Sequence, residues 1–218
     1  MSTATRPDTH TMVVVHRVFR REFRLLPGLI EGVRAGDTER AAVLAEHLTD
    51  IVAALHHHHE AEDDLIWPLL LERATLHLDL VHRMEAQHAA LGAALDRIEK
   101  LTPQWGRSAS LVEARELAAA VREASAVLEE HMGEEESAIL PVIAEHLSVE
   151  EWGKVGERGA KSVADKRKRL LFLGAILEDA TPQEQRDFLG ELPAPGRVLW
   201  PLLGKRAYGG YTRLIRNT

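Results

Sequence analysis

Apolar residues recur at alternating spacings of three and four along four segments of the chain. Such spacing gathers them on one stripe of an α-helix, as in the helices of a bundle. Strand signals are scarce, whereas Ala, Leu, Glu and Arg, which favour helices, are abundant. The pattern predicts an all-α chain built on an up-down four-helix bundle. The stripes run from Met12 to Val33, from Leu44 to Leu69, from Val81 to Ile98 and from Leu117 to Val142.

Each stripe is interrupted at one or two positions, where a histidine or a glutamate replaces the expected apolar residue. Helices rise about 1.5 Å per residue, so the distances of these positions from the intervening turns bring them to a similar level in an up-down bundle. The six interruptions are His16, His58, Glu62, His88, His131 and Glu135.

A degenerate internal repeat relates these six positions. A histidine, a glutamate four residues later and a proline six residues after that recur with an offset of 73 residues, and His16 precedes His88 by 72. Two similar helix pairs, each giving one histidine and one His-x3-Glu motif, predict an approximately two-fold symmetric site. The matched segments are His58-x3-Glu62-x5-Pro68 and His131-x3-Glu135-x5-Pro141.

The chemistry of this set favours metal binding. An i, i+4 pair lies on one helix face, so each His-x3-Glu motif can direct both side chains into the bundle. Any one histidine on a helix is more often a solvated or core residue, but six interruptions in register point to a shared ligand. Carboxylates and imidazoles buried in an apolar seam are costly unless something such as a metal binds them. The set suits two mid-sized metals, with iron ahead of manganese and zinc.

Neighbouring residues compete for the same roles. In the run from His56 to His59, only His58 shares the apolar stripe with a glutamate four residues later, so the other three are assigned to the surface or to a supporting position behind the ligands. Glu136 competes with Glu135, and the repeat favours Glu135. Glu85 stands three residues before the third-stripe histidine and is predicted to orient it.

Turn-forming residues separate the stripes. Ala35-Gly36-Asp37 predicts the first turn, with its aspartate as a helix N-cap, and the run 102–106 predicts the turn before the fourth helix. Pro27 should kink or break the first helix, whereas Pro68 and Pro141 should kink their helices beyond the site.

Composition and charge narrow the class of protein. The chain has 218 residues, twelve histidines and no cysteine, which excludes disulfides, iron–sulfur clusters and thiolate metal sites. Its net charge of −7 argues against nucleic acid as the main partner. It has neither an apolar run long enough to span a membrane nor a secretory signal, so we expect a soluble cytoplasmic protein.

A shift in charge marks a predicted boundary near residue 150, since residues 1–151 carry a net −13 and residues 152–218 a net +6. We predict a flexible N-terminus over 1–9, the bundle over 10–147 and a C-terminal helical extension over 148–218. Within the extension, helices are expected near 149–157, 161–178 and 182–190, the first and third with N-terminal capping signals. A turn at 192–196 and a final helix interrupted at Gly209-Gly210 complete it.

The motifs resemble the hemerythrin-like, or HHE cation-binding, domain family, in the branch with the pattern H…HxxxE…H…HxxxE. The resemblance covers roughly residues 10 to 147. It implies an up-down four-helix bundle around a non-haem di-iron centre, bridged by carboxylates and by solvent as oxo or hydroxo groups. By motif position, the six residues named above inherit the ligand roles.

Two departures from the oxygen-carrying members change the functional expectation. Met84 stands where those proteins have a fifth histidine, and the chain has His-x3-Glu where they end in His-x4-Asp. The departures argue against reversible oxygen carriage. A centre with fewer imidazoles leaves more open positions, which favours reaction with oxygen, peroxide or nitric oxide.

The leading functional hypothesis is therefore a di-iron protein that binds or turns over a small diatomic or peroxide ligand in oxidative or nitrosative stress, with weak peroxidase, catalase or nitric-oxide-handling activity. The alternative is a metal- or redox-dependent sensor that signals through the basic C-terminal extension. A purely structural metal site is a third reading.

Overall fold

The computed structural model describes residues 6–192, Arg197 and residues 200–217. Four long helices form a closed square, because the first and third long helices each pack against both the second and the fourth. The described part of the chain contains no strand, so the all-α prediction and the bundle are confirmed. The long helices are α1 (His10–Glu31), α2 (Thr38–Leu65), α4 (Leu78–Ser108) and α5 (Leu111–Glu134), with the short α3 (Trp67–Arg73) and a 3-10 turn (Thr75–His77) between α2 and α4.

Two apolar clusters fill the bundle, one on each side of a polar layer. On α1, Met12 belongs to one cluster and Phe19 to the other, with His16 between them. On α4, Met84 and Leu91 flank a histidine in the same way. Since close-packed side chains on both sides leave little room for movement, the polar layer is held rigidly.

The first predicted turn is confirmed and the second is wrong. Asp37 caps α2 by accepting a hydrogen bond from the Arg40 backbone N–H at 3.0 Å. The run 102–106 is not a turn, because α4 continues through Pro103 to Ser108 and the chain reverses after Ala109 (φ 47°). Gly106 serves packing instead, since a Cβ there would lie 2.9 Å from the Cβ of Ala45 on α2.

Prolines affect the helices in two ways. Helix α1 is not broken at Pro27, which is buried within it near its C-terminal end. Pro68 and Pro141 do interrupt their helices, as predicted: α2 ends before α3, and α5 passes into a π-helical segment (Glu135–Ile139) before α6 (Leu140–His146). A proline ring clashes with the carbonyl four residues earlier, so the helix must widen or end just before it.

The C-terminal region adds helices to the outside of the bundle. Helix α7 packs against α2, α8 and α9 pack against α1, and α10 packs against α8 and α2. The predicted capping box at Ser148 and the predicted cap at Thr181 are both present, and the cap at Thr181 is also a capping box. The predicted interruption at Gly209-Gly210 is wrong, since α10 is continuous there. These helices are α7 (Val149–Ser162), α8 (Lys166–Glu178), α9 (Pro182–Glu191) and α10 (Lys205–Arg216), the last preceded by a π-helical segment (Trp200–Gly204).

Two predictions lie largely outside the described residues. They are the flexible N-terminus, of which residues 1–5 are not described, and the turn at 192–196, of which only Leu192 is described.

Candidate metal centre

The six residues predicted from the stripes all lie in the polar layer between the two apolar clusters. Each of the four long helices contributes at least one side chain to the layer. Four of the side chains are completely buried, namely those of His16, Glu62, His131 and Glu135. His16 comes from α1, His58 and Glu62 from α2, His88 from α4, His131 from α5, and Glu135 from the first position of the π-helical segment.

The side chains of the layer form two overlapping groups whose ligand atoms lie within 4.8 Å of one another, a spacing suited to one metal ion in each group. Glu62 belongs to both groups. One group contains His59, Glu62, His88 and His131, and the other contains His16, His58, Glu62 and Glu135.

Both glutamates reach toward histidines of each group. Glu62 Oε1 lies 3.1 Å from His58 Nε2, and its Oε2 lies 3.3 Å from His88 Nε2. Glu135 Oε2 lies 3.3 Å from His16 Nε2 and 3.7 Å from His131 Nε2. A carboxylate placed in this way can bridge two metal ions.

Unpaired polar atoms test whether these residues fit a metal pair. Both carboxylate oxygens of Glu62 and of Glu135 are buried without a hydrogen-bond partner among the described residues. The Nε2 atoms of His88 and His131 are also unpaired. Buried polar groups are nearly always hydrogen-bonded, so a cluster of unpaired donor and acceptor atoms fits a coordinated metal.

In His16 and His131, the ring nitrogen that faces away from the centre is held by another side chain. His16 Nδ1 donates to Glu136 Oε1 at 2.8 Å, and His131 Nδ1 donates to Gln87 Oε1 at 3.2 Å. Such outer hydrogen bonds fix the ring and direct Nε2 toward the centre of the layer. Glu136 therefore supports His16 from behind, which agrees with the choice of Glu135 as the inward-facing residue.

The residue that orients His88 is not the one predicted from the sequence. Glu85 accepts a hydrogen bond from His82 instead. His88 Nδ1 donates to Asp63 Oδ1 at 2.7 Å, and Trp67 Nε1 donates to the same oxygen at 2.8 Å. The prediction for Glu85 is therefore wrong, because the carboxylate that holds His88 comes from the neighbouring helix α2 and not from one turn earlier on α4.

His59 is inside the protein and not on its surface. Only 7% of it is exposed, and its ring centroid lies 4.3 Å from that of His88. A signal for its burial exists in the sequence, since Ala45, Val52 and His59 are spaced seven residues apart and form a second inward row on α2. A bundle helix buries a stripe wide enough for two such rows.

Burial and neighbouring charges give the histidines of the layer very different pKa values. Burial opposes the protonation of His16, but the nearby Glu135 carboxylate outweighs it and raises the pKa of His16 to about 9. Burial and the His16 charge lower the pKa of His58 to about 3. His88 follows His16, because Asp63 and Glu62 overcome the effect of burial and raise its pKa to about 9.

A cavity of about 360 Å³ opens between α2 and α4 and reaches one side of the layer. His59 and His88 line it, together with Asp63 and Trp67. Polar residues stand on its walls as well, including Glu60 and Glu85 among others. A small polar molecule can therefore approach one of the two groups from this side.

The fold and the layer together define a class of protein, the helical bundles with a buried His/carboxylate cluster suited to binding metal. Residues 8–143 match the family model described as the hemerythrin HHE cation-binding domain. The chain belongs to this family, which confirms the resemblance seen in its motifs and indicates a metal-binding domain. Comparison with curated proteins and with solved structures gave no match.

Helices in the described part of the chain are all too short or too polar to cross a membrane.

Proposed function

We propose that the chain is a non-haem di-iron protein, with His16, His58, Glu62, His88, His131 and Glu135 as ligands. The observation that carries this proposal is the position of Glu62, which belongs to both groups of ligand atoms. Imidazole and carboxylate ligands suit iron, whereas manganese and zinc fit the set less well. A bound iron pair would supply one-electron redox chemistry close to a site that small molecules can enter.

The ligand in this proposal is oxygen, peroxide or nitric oxide. Its support is the cavity between α2 and α4, which is lined by two histidines of the layer and by polar side chains. The apolar clusters above and below the layer shield it from water along the bundle axis. A role in oxidative or nitrosative stress, a weak activity toward peroxide or nitric oxide and a cytoplasmic location belong to the same proposal.

In this proposal residues 10–147 form the metal-binding unit and residues 148–218 an extension of it. A second candidate function, a metal- or redox-dependent sensor, rests on contacts between the two. The ring of Phe172 on α8 lies 6.1 Å from that of Phe19 on α1, and Phe19 lies 5.4 Å from His58. Through this chain of contacts, a change at His58 can alter the packing of α8.

Metal analysis of Glu62→Gln tests the proposal, with Glu60→Gln as the matched control. Glu60 lies two residues away on the same helix and its side chain is 58% exposed. Wild type and Glu60→Gln should each bind two irons per chain and develop a visible charge-transfer band that changes on adding peroxide. Glu62→Gln should lose both irons together, because the bridge serves both groups.

A folded wild-type chain that takes up no iron would overturn the proposal. Circular dichroism of the metal-free proteins separates loss of metal from loss of fold. If Glu62→Gln still binds two irons tightly, Glu62 does not bridge the two metals.

A further inference from the structure

The two groups of ligand atoms differ in one respect that the repeat does not predict. The offset of 73 residues pairs His58 with His131 and Glu62 with Glu135, and it pairs His59 with Met132. A strictly two-fold centre would give each metal two imidazoles. Because a histidine faces the layer in one half and a methionine occupies the equivalent position in the other, the symmetry is broken at His59.

The geometry points to His59 as a seventh protein ligand, which gives one metal three imidazoles and the other two. This inference rests on the proposed di-metal function. His59 lies three residues before Glu62, so the two side chains share a face of α2. Its ligand atom lies within 4.8 Å of those of Glu62, His88 and His131.

The state of the His59 ring supports ligation over simple packing. Its Nε2 is buried and has no hydrogen-bond partner among the described residues. A histidine that merely fills a core position normally satisfies its ring nitrogens. The ring also lies across from two other imidazoles, with centroids 4.3 Å from His88 and 5.1 Å from His131. Three imidazoles this close are explained by a cation that all of them bind.

The position of His59 also shows which of the two groups of ligand atoms lies nearer the cavity. His59 and His88 line the cavity between α2 and α4, so the metal with three imidazoles is the one nearer the opening. The group of His16 and His58 lies on the far side and contains two imidazoles, against three in the group beside the opening. The group richer in imidazoles is therefore the one beside the entrance, and the group with two imidazoles lies behind it.

Mössbauer spectroscopy of the iron-loaded wild-type chain tests the asymmetry directly. Two inequivalent iron sites of equal area are expected, because three and two imidazoles give different ligand fields. A single type of site in the wild type would overturn the inference even if every variant failed to fold.

His59→Gln tests the residue, and His57→Gln is the matched control because His57 is adjacent and its side chain is 41% exposed. In His59→Gln the affinity for one of the two metals should fall at least tenfold, by analogy with the known cost of disturbing metal ligation, while His57→Gln should match the wild type. The two Mössbauer sites should also become more alike in His59→Gln.

Chemical rescue separates ligation from packing. In His59→Ala, free imidazole should enter through the cavity and restore the wild-type spectrum, whereas His57→Ala should not respond to it. Wild-type metal affinity and spectrum in His59→Gln, or no response of His59→Ala to imidazole, would overturn the role of His59. A wild type that binds no iron is a different result, since it defeats the proposed di-iron function itself.

Discussion

At the scale of single residues, Glu62 and Glu135 show how burial and neighbouring charges change the pKa values of two similar carboxyl groups in opposite directions. Burial and the negative charge of Glu135 raise the pKa of Glu62 to about 7. Burial acts on Glu135 in the same direction, but the positive charge of the nearby His16 outweighs it and lowers the pKa of Glu135 to about 2. Without metal, protons on imidazoles stabilise the carboxylate charge. Metal ions would take over this role and displace those protons.

Asp63 offers a test of how the layer is supported. Replacing Asp63 with Ala removes the acceptor of both the His88 and the Trp67 hydrogen bonds, so the His88 ring is free to turn. We expect metal affinity to fall about 10–100-fold in Asp63→Ala. Asp63→Asn keeps an oxygen acceptor and loses only the charge, so its effect should be smaller. Competition titration with a metal-sensitive dye would measure both.

The matched control for Asp63 is Asp64→Ala, since Asp64 is adjacent but pairs with Arg158 on the outside of the bundle. Equal losses of affinity in Asp63→Ala and Asp64→Ala would show that the hydrogen bond to His88 does not support the metal.

Residue types and their spacing predict which side chains face the layer better than they predict what lies behind it. The six stripe interruptions all lie in the layer, because helical periodicity fixes direction within a helix. Asp63 could not be identified in this way, since its contact with His88 joins two helices. The row of Ala45, Val52 and His59 does indicate a buried His59, because a bundle helix buries a stripe wider than a single row.

At the scale of elements, some prolines interrupt their helix, whereas another proline and a glycine lie within a continuous helix. Pro68 and Pro141 follow the His-x3-Glu motifs at equal distance, and both interrupt the helix just after the ligands. Gly106 and Pro103 resemble a turn, yet α4 continues through them because Trp105 is fully buried and Gly106 packs closely on α2. Tertiary packing, which the local sequence does not reveal, decides between a turn and a continuous helix.

Glu22, which is 3% exposed, lies where α1 meets the C-terminal helices. His47 Nε2 donates to Glu22 at 3.1 Å and Arg21 at 2.8 Å, and Arg216 of α10 lies 3.4 Å away. Burial alone would raise the pKa of Glu22, but His47 and Arg21 outweigh it and lower the pKa to about 2. The ionised carboxylate therefore joins the bundle to the C-terminal helices.

The sign of the pKa shift predicts how Glu22 affects stability. Because its folded pKa of about 2 lies below the ordinary value of 4.5, its contribution is fully present above pH 4.5 and is lost as the pH falls toward 2. Glu22→Gln should lower the free energy of unfolding by about 3 kcal/mol at pH 7, and this difference should shrink below pH 4.5. Urea unfolding at several pH values would measure it.

The exposed Glu130 gives the control, since Glu130→Gln should change stability by less than about 0.5 kcal/mol at every pH. A constant difference between the wild type and Glu22→Gln from pH 7 to pH 3 would contradict the role of the ionised carboxylate.

At the scale of the whole molecule, the polar layer divides the core of the bundle and the C-terminal helices cover its outside. Charge in the sequence predicted that the C-terminal region differs from the bundle, and capping signals placed its first and third helices. Where those helices dock could not be predicted, because docking depends on long-range pairs such as Tyr211 with His47, whose side chains hydrogen-bond at 2.8 Å.

Metal occupancy should reach the C-terminal region if the chain acts as a sensor. Metal binding fixes the His58 ring, Phe19 packs on that ring, and Phe172 of α8 packs on Phe19. We expect iron loading to slow amide hydrogen exchange in α8 at least severalfold, with a smaller effect in α9. Hydrogen exchange followed by mass spectrometry, with and without iron, would measure both helices in the same sample.

Two phenylalanine variants make this measurement specific. Phe172→Ala removes the contact with Phe19 and should abolish the effect of iron on α8 while leaving two irons bound. Phe188→Ala is the matched control, because Phe188 is also a partly buried phenylalanine of the C-terminal helices but lies on α9. If iron loading leaves the amide hydrogen exchange of α8 unchanged in the wild type, signalling through this contact is excluded. The function proposed for the metal centre would then not involve the C-terminal helices.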